Sequence, residues 1–206
     1  MELKHHPFIC IEGIDGVGKS TVAKRLAEAI NGVYFKTPSK PYSDAREAID
    51  QQADTISRFY FYLSSVTFAS QQIARLCSTT PVVCDRYIYS TYAYHLAKDP
   101  TLSSRIVALP VVLPTIHIPD LTVLLTSEEQ ERQRRLAIRR GQTSSNESFQ
   151  DRDGAFLALV EKEFSKMGLC SINTSAMSVT DVVHKVLCRI RGFLQPAHKR
   201  TDTILC

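Results

Sequence analysis

Short apolar runs bounded by turn residues alternate along this chain with longer stretches whose apolar positions recur every three to four residues. Phe8–Ile11 is the first run, and its β-branched character predicts a buried strand. Val22, Leu26, Ala29 and Ile30 follow at helical spacing, and Asn31-Gly32 predicts a left-handed stop. Val33–Lys36 reads as a second strand and Thr37–Ser43, with its prolines and serines, as loop. Helices are predicted over Asp44–Gln51 and over Thr55–Leu76, the second with Ile56, Phe59, Tyr60, Leu63 and Phe68 among its apolar positions. Pro81–Asp85 is a third strand and Ser90–Ala97 a helix. Pro100, Pro110, Pro114 and Pro119 then exclude any long element and leave a short helix over Ser103–Leu109. Leu121–Leu125 is a fourth strand, and Ser127-Glu-Glu-Gln130 reads as a capping box opening a helix that reaches Arg140. Phe156, Val160, Phe164 and Met167 lie on one helical face that Gly168 ends, and Cys170–Asn173 is a fifth strand. Ser178 caps a last helix with Val182, Val183, Val186, Leu187 and Ile190 inward. Strands alternating with helices, without repeats or a domain break, predict an α/β fold: a parallel sheet covered on both faces, in one domain spanning residues 1–206. The tail over 193–206 reads as loosely ordered.

The most specific local pattern lies between the first strand and the first helix. Gly13, Gly18, Lys19 and Ser20 fit G-x-x-x-x-G-K-[ST] without a gap. The bare pattern arises by chance in roughly one chain in a hundred of this size. A strand before it and a helix after it are the context that makes it a phosphate-binding loop. Glycines let successive backbone N–H groups turn toward phosphate oxygens, and the positive end of the helix adds to that field. In this reading Lys19 reaches the β- and γ-phosphates, and the Ser20 hydroxyl ligates Mg²⁺.

Composition narrows the partners. The chain has 206 residues, 44% hydrophobic and 22% charged, enough for one well-buried domain. A net charge of +4 suits small polyanionic ligands and is too weak and dispersed to argue for nucleic acid. No apolar run reaches transmembrane length and the N-terminal stretch has no signal-peptide core, so no membrane is expected and a cytoplasmic location is. The six cysteines show no C-x-x-C spacing and read as reduced thiols, Cys10 and Cys84 inside strand runs.

Three further features carry chemistry. Asp85-Arg86-Tyr87 ends the third strand, and parallel sheets bind ligands at that end. Asp85 can belong to a Mg²⁺ shell and Arg86 can clamp an acceptor phosphate; a structural ion pair is the plainer alternative. Arg132, Arg134, Arg135, Arg139 and Arg140 share one predicted helix leading into the polar stretch Gly141–Gln150. Most of them read as a solvated face, while one or two near the loop can close over a transferring phosphoryl group, a role worth on the order of 10³–10⁵ in rate. Phe59-Tyr60-Phe61-Tyr62, with Tyr87, Tyr89, Tyr92 and Tyr94 beyond, covers more than one helix face. For any single ring core packing is the plainer reading, and stacking on a base the other.

Together these motifs resemble the thymidylate kinase family of nucleoside monophosphate kinases. Glu12-Gly-Ile-Asp-Gly-Val-Gly-Lys-Ser-Thr21 is similar to that family's phosphate loop, and Asp85-Arg-Tyr-Ile-Tyr-Ser-Thr-Tyr-Ala-Tyr94 to its Asp-Arg-Tyr-x-x-Ser-x-x-Ala-Tyr signature. Pro119-Asp-Leu-Thr-Val-Leu-Leu125 resembles its fourth-strand motif, and the spacing of Phe156, Val160 and Phe164 the helix after its lid. The likeness spans about residues 7–192. It implies a P-loop NTPase fold, a doubly wound five-stranded parallel sheet with helices on both faces and a mobile lid over about residues 139–152. It also implies phosphoryl transfer from ATP to a nucleoside monophosphate, Mg²⁺ as cofactor and a homodimer. Carried over by position, the ATP contacts are Gly13, Asp15, Gly16, Val17, Gly18, Lys19, Ser20, Thr21 and Ser175, with Mg²⁺ at Ser20 and Asp85. The acceptor contacts are Asp15, Lys36, Tyr62, Val66, Arg86, Ser90 and Tyr94. The catalytic set is Lys19, Arg86, Asp15, Arg139 and Arg140, the last two because no arginine occurs at positions 14–17.

The chain departs from the family pattern around the base. Lys36-Thr-Pro-Ser39 stands where the family has Arg-Glu-Pro-Gly, so Lys36 would take over a phosphate contact. Tyr62 and Val66 align with a Phe and, four residues on, an Arg that reads the thymine edge; Val66 donates no hydrogen bond. His95 replaces a Gln that commonly follows the Ala-Tyr pair. Lys36-Thr-Pro-Ser39, Ile56-Ser-Arg58 and Val123-Leu-Leu-Thr126 also resemble the mitochondrial UMP-CMP kinase-like branch. The expected acceptor is dTMP, giving dTDP, with UMP, CMP or dUMP as the alternative. A deoxynucleoside kinase would need a carboxylate base after the second strand, where the chain has Lys36 and no acid before Asp44. A non-catalytic nucleotide-binding protein is the third reading; the guanine-reading Asn-Lys-x-Asp of a GTPase is absent.

Overall fold

Strand β1 (Phe8–Glu12) is buried at every position because both faces of the sheet are covered. Ile9 and Ile11 join one core, Phe8 and Cys10 the other. The structure, a computed structural model, describes residues 6–105, 113–142 and 153–194. The sheet runs β2 (Val33–Lys36), β3 (Val82–Asp85), β1, β4 (Leu121–Thr126), β5 (Cys170–Asn173), with every neighbouring pair parallel. This is the expected five-stranded, doubly wound arrangement. Ile11 and Lys36 both register against Asp85, so β1, β2 and β3 end at one level.

Helix α1 (Lys19–Ala29) leaves the glycine loop directly and stops at Asn31, whose φ of 51° is the left-handed turn the sequence predicts. Helices α2 (Tyr42–Gln52) and α3 (Thr55–Cys77) follow β2, and Asp54 caps α3 by accepting from the Ile56 and Ser57 N–H groups. Phe59, Leu63, Val66, Ser70, Ile73 and Cys77 form the buried stripe of α3 at helical spacing. Helix α4 (Ile88–Lys98) follows β3, and the short α5 covers Leu102–Arg105. The rest of the predicted Ser103–Leu109 helix lies outside the described residues. Helices α6 (Glu129–Gln142), α7 (Gly154–Ser165) and α8 (Val179–Leu194) complete the layers. Ser178 and Asp181 cap α8 reciprocally, the hydroxyl accepting from the Asp181 N–H and donating to its carboxylate.

The capping box predicted for α6 does not form. The Ser127 hydroxyl lies against the Glu128 carbonyl and Ser175, and it is the Ser175 oxygen that accepts the Glu128 N–H at 2.7 Å. A side chain from the loop after β5 thus replaces the local cap. Cys10, Cys77 and Cys84 are buried free thiols, as expected. Among the described residues no helix is long and apolar enough to cross a membrane. Most of the predicted lid and the end of the predicted tail, 143–152 and 195–206, lie outside the described residues.

Candidate active site

The order of the strands reverses at β1, with β3 on one side and β4 on the other. In such sheets the crevice at the carboxyl ends beside the switch point takes the ligand. The glycine loop fills this position. Gly13, Gly16 and Gly18 all have positive φ, at 137°, 91° and 98°. A side chain at Gly16 would also meet Arg132 Cγ at 2.7 Å. Arg132 is 1% exposed and is held by Glu129 through two 2.7 Å bonds while it donates to the Asp15 carbonyl at 3.2 Å. It is a buried prop beneath the loop and corrects the expectation of a solvated face. Arg134, exposed and paired with Glu131, fits that expectation. Arg135 donates to the Val17 carbonyl and to both oxygens of Thr174, tying α6 to the loop after β5. Arg139 is half-buried on α6, and Arg140 lies on the same helix.

Lys19 folds back over the loop. Its Nζ donates to the Ile14 carbonyl at 2.6 Å and to Asp15 at 3.2 Å. Burial and the charge of Arg86 push its pKa down, against the pull of Asp15 and Asp85. Ser20 donates to Asp85 Oδ2 at 2.5 Å, and the Tyr34 hydroxyl donates to the same oxygen at 3.2 Å. The other oxygen of Asp85 is buried and has no hydrogen-bond partner among the described residues. Thr21, Val17, Gly18 and Ser175 line a cleft between α1, α6 and the loop after β5.

Arg86 follows β3 with φ 68°, a left-handed conformation that costs a non-glycine residue about 1–3 kcal/mol. Its N–H donates to the Ile11 carbonyl, and its own carbonyl accepts from Thr37 Oγ1 and Cys84 Sγ. This conformation turns the guanidinium toward the glycine loop. Its Nη2 donates to Asp15 at 2.5 Å and to the Tyr94 hydroxyl at 3.2 Å, and Nη1 donates to Ser90 at 3.1 Å. Ser90 in turn donates to Glu12. The fully buried Glu12 carboxylate also accepts the N–H groups of Tyr87 and Ser90, at the start of α4. Burial raises its pKa despite these bonds and the charge of Arg86.

A cavity opens beside Arg86, walled by the loop after β2 and by α2, α3 and α4. Tyr62, Val66, Arg86, Ser90 and Tyr94 line it. Asp15 stands at its edge through Arg86. Lys36 does not line it: it is exposed at the end of β2, and Thr37 and Pro38 take the wall instead. The sequence reading missed four charged lining residues, Arg46, Asp50, Arg58 and Lys98. The signal was the spacing of 58, 62 and 66 on one face of α3 and the i,i+4 pair Arg46–Asp50. Asp50 is also the acid that the post-β2 stretch lacked. Its carboxylate is already bonded, since Tyr62 donates to both oxygens at 2.9 and 3.0 Å and Arg46 pairs with it at 3.3 Å.

A glycine loop at the switch point with a bound-back lysine, next to a second cavity headed by an arginine, defines a P-loop protein with two adjoining clefts. The family model for thymidylate kinase matches residues 11–186. The chain is 28% identical over 193 residues to the probable thymidylate kinase of Methanococcus vannielii, covering 87% of this chain and 92% of that one. It is 29% identical over 198 residues to human mitochondrial UMP-CMP kinase 2, covering 91% of this chain and 43% of that longer protein. The solved thymidylate kinase of Candida albicans shares the fold with a TM-score of 0.73 at 21% identity, over 91% of this chain and 92% of that one. This chain belongs to the thymidylate kinase family, whose members are phosphotransferases.

Proposed function

We propose that the chain transfers the γ-phosphoryl group of ATP to the phosphate of dTMP, giving dTDP and ADP. The observation that carries this reading is Asp15, one carboxylate bonded both to Lys19 of the loop and to Arg86 of the cavity. Donor and acceptor sites therefore meet at one residue. On phosphate binding, Lys19 would exchange its contacts with Ile14 and Asp15 for phosphate oxygens, and Arg86 would hold the acceptor phosphate. An acceptor phosphate oxygen forms the new P–O bond as the bond from the γ-phosphorus to the leaving ADP oxygen breaks. The acceptor is already an anion, so no general base is required. In this reading Asp15 takes a sugar hydroxyl, Tyr62 stacks on the base, and Arg139 and Arg140, as the family resemblance implies, answer the charge that develops in transfer.

Mg²⁺ suits the donor side: Ser20 donates its proton to Asp85 and keeps its lone pairs, while the unpartnered, buried Asp85 oxygen faces no competing donor. These two residues would hold the ion, directly or through water, and its charge would offset that of the phosphates. We place the activity in the cytoplasm and in a homodimer, on composition and family likeness alone.

The test is ADP formation by purified full-length protein with ATP·Mg²⁺ and dTMP, with thymidine as the control acceptor. Turnover with dTMP and none with thymidine is expected. Turnover with thymidine alone would move the chain to the nucleoside kinases, and silence with ATP still bound would leave a nucleotide-binding protein.

A further inference from the structure

The two oxygens of the buried Asp85 carboxylate differ in their surroundings. Oδ2 accepts from Ser20 Oγ at 2.5 Å and from the Tyr34 hydroxyl at 3.2 Å. Oδ1 is buried and has no hydrogen-bond partner among the described residues. Ser20 belongs to the glycine-loop motif. Tyr34 comes from β2, at the edge of the sheet, and lies outside every motif of the sequence.

The strand register explains how Tyr34 arrives there. Tyr34 pairs with Val83 and Lys36 with Asp85, so Tyr34 stands two residues short of Asp85, about 6.6 Å along the neighbouring strand. Alternate residues share a face, which puts the Tyr34 and Asp85 side chains on the same side of the sheet as Val83 and α1. A phenol spans the two-residue offset, whereas a serine, threonine or asparagine hydroxyl or amide would fall short of it. The ring packs half-buried against the core, with Lys24 Nζ of α1 over it at 5.4 Å from the centroid. Phenylalanine would supply that packing equally well. The hydroxyl serves Asp85.

An aspartate turns about a broad, roughly two-fold terminal torsion. A single donor holds one oxygen and leaves the carboxylate plane free to pivot about that bond. A second donor on the same oxygen, brought from a different element, removes the freedom. With Ser20 of α1 and Tyr34 of β2 both on Oδ2, Oδ1 is the oxygen left for a cation. Mg²⁺ demands near-ideal octahedral geometry, so a pivoting carboxylate serves it poorly. Groups that orient a metal's ligands typically change its affinity by roughly 10–100-fold.

We propose that Tyr34 is a positioning residue for the metal of the donor nucleotide: its hydroxyl fixes the Asp85 carboxylate so that one oxygen stays turned toward a divalent cation. The inference rests on reading the glycine loop, Ser20 and Asp85 as the site of ATP·Mg²⁺. Ser20 keeps its lone pairs for the ion while its proton stays on Asp85, and Tyr34 holds that carboxylate from the other side. Tyr34 itself touches neither phosphate nor acceptor in this reading.

The test separates metal binding from turnover. Binding of the non-hydrolysable ATP analogue AMP-PNP to the full-length protein is measured by calorimetry, in EDTA and in Mg²⁺. In the unaltered protein Mg²⁺ is expected to tighten binding. Tyr34→Phe, which keeps the ring and its place under Lys24, should leave binding in EDTA and the melting temperature in EDTA unchanged and reduce the tightening by Mg²⁺ about tenfold. In transfer assays it should raise the KM for Mg²⁺ by a similar factor and leave the KM for dTMP unaltered. Tyr34→Leu should lose stability as well but show the same reduced Mg²⁺ effect as Tyr34→Phe. A native Mg²⁺ effect in Tyr34→Phe would overturn the inference and leave the ring a packing group. So would equal binding in EDTA and in Mg²⁺ by the unaltered protein. Should Tyr34→Leu fail to fold, Tyr34→Phe still decides. A Mg²⁺ effect that Tyr34→Phe weakens, without transfer to dTMP by the unaltered protein, would defeat the kinase reading alone. Transfer with native Mg²⁺ dependence in Tyr34→Phe would defeat this inference alone, and no nucleotide binding at all would defeat both.

Discussion

At Asp15 burial by itself would raise the carboxyl pKa, yet the charges of Lys19 and Arg86 hold it well below the usual carboxylate range. The residue is an anionic hub for two cations that phosphates are suited to claim. Lys19 is 5% exposed, and its amine lies against the loop it serves. Lys19→Ala should abolish transfer while the melting temperature moves only a few degrees, because among the described residues that amine donates only within the loop, to Ile14 and Asp15; a parallel loss of cooperative unfolding would instead make Lys19 a structural residue. Glu12 does its work at one remove: it fastens Tyr87 and Ser90, and Ser90 accepts from Arg86. It is a positioning residue, and Arg86 keeps its left-handed backbone within this frame.

Among the helices, α2 stands apart because it buries none of its residues. Most helices of this fold are held by an apolar stripe; α2 is held by its polar side chains and one ring. Tyr42 packs on Phe61 and Phe68 with ring centroids 5.4 and 5.7 Å away, and its hydroxyl meets Ser64 at 2.6 Å. Two further fastenings are the Arg46–Asp50–Tyr62 network and the bond from Arg58 of α3 to the Asp50 carbonyl at 3.2 Å. Tyr62→Phe keeps the ring and removes the hydroxyl. It should raise acceptor KM several-fold, leave ATP KM unchanged and speed amide exchange in α2; exchange that stays at the native rate would mean that Tyr42 and the Arg58 bond to the Asp50 carbonyl fix the helix without the Tyr62 hydroxyl. Helix α6 shows the opposite case, a very polar element whose Arg132 and Leu136 are nonetheless buried beneath the loop.

For the whole molecule, His95 is one group expected to weaken the fold in acid. Burial lowers its pKa to about 4 from an ordinary 6.5, against the pull of its bond to Thr91. The unfolded chain therefore takes up the proton first as pH falls. Stability is intact above about pH 6.5 and is lost progressively toward pH 4, by on the order of 3 kcal/mol from this one group. Urea unfolding at pH 7.5 and pH 5 should show that slope, and His95→Gln should flatten it; an unchanged slope would assign the acid sensitivity to other groups. How much of the molecule was legible beforehand divides along the same lines. The strands, the glycine loop and the caps at Asn31 and Ser178 were written locally: apolar periodicity, positive-φ glycines and short side chains that bond the neighbouring backbone act within a few residues. So was the family likeness, which rests on contiguous motifs. The cap of α6 was not, because Ser175 arrives from 47 residues away and displaces the local Ser127. Neither was the charged end of the acceptor cavity, where Arg46, Asp50, Arg58 and Lys98 come from three helices. Sequence alone determined which backbone segments form and where the glycine loop lies between strand and helix, since those depend on near neighbours; only tertiary packing decided which side chains share the cavity beside Arg86, since their meeting depends on how α2, α3 and α4 lie across the end of the sheet.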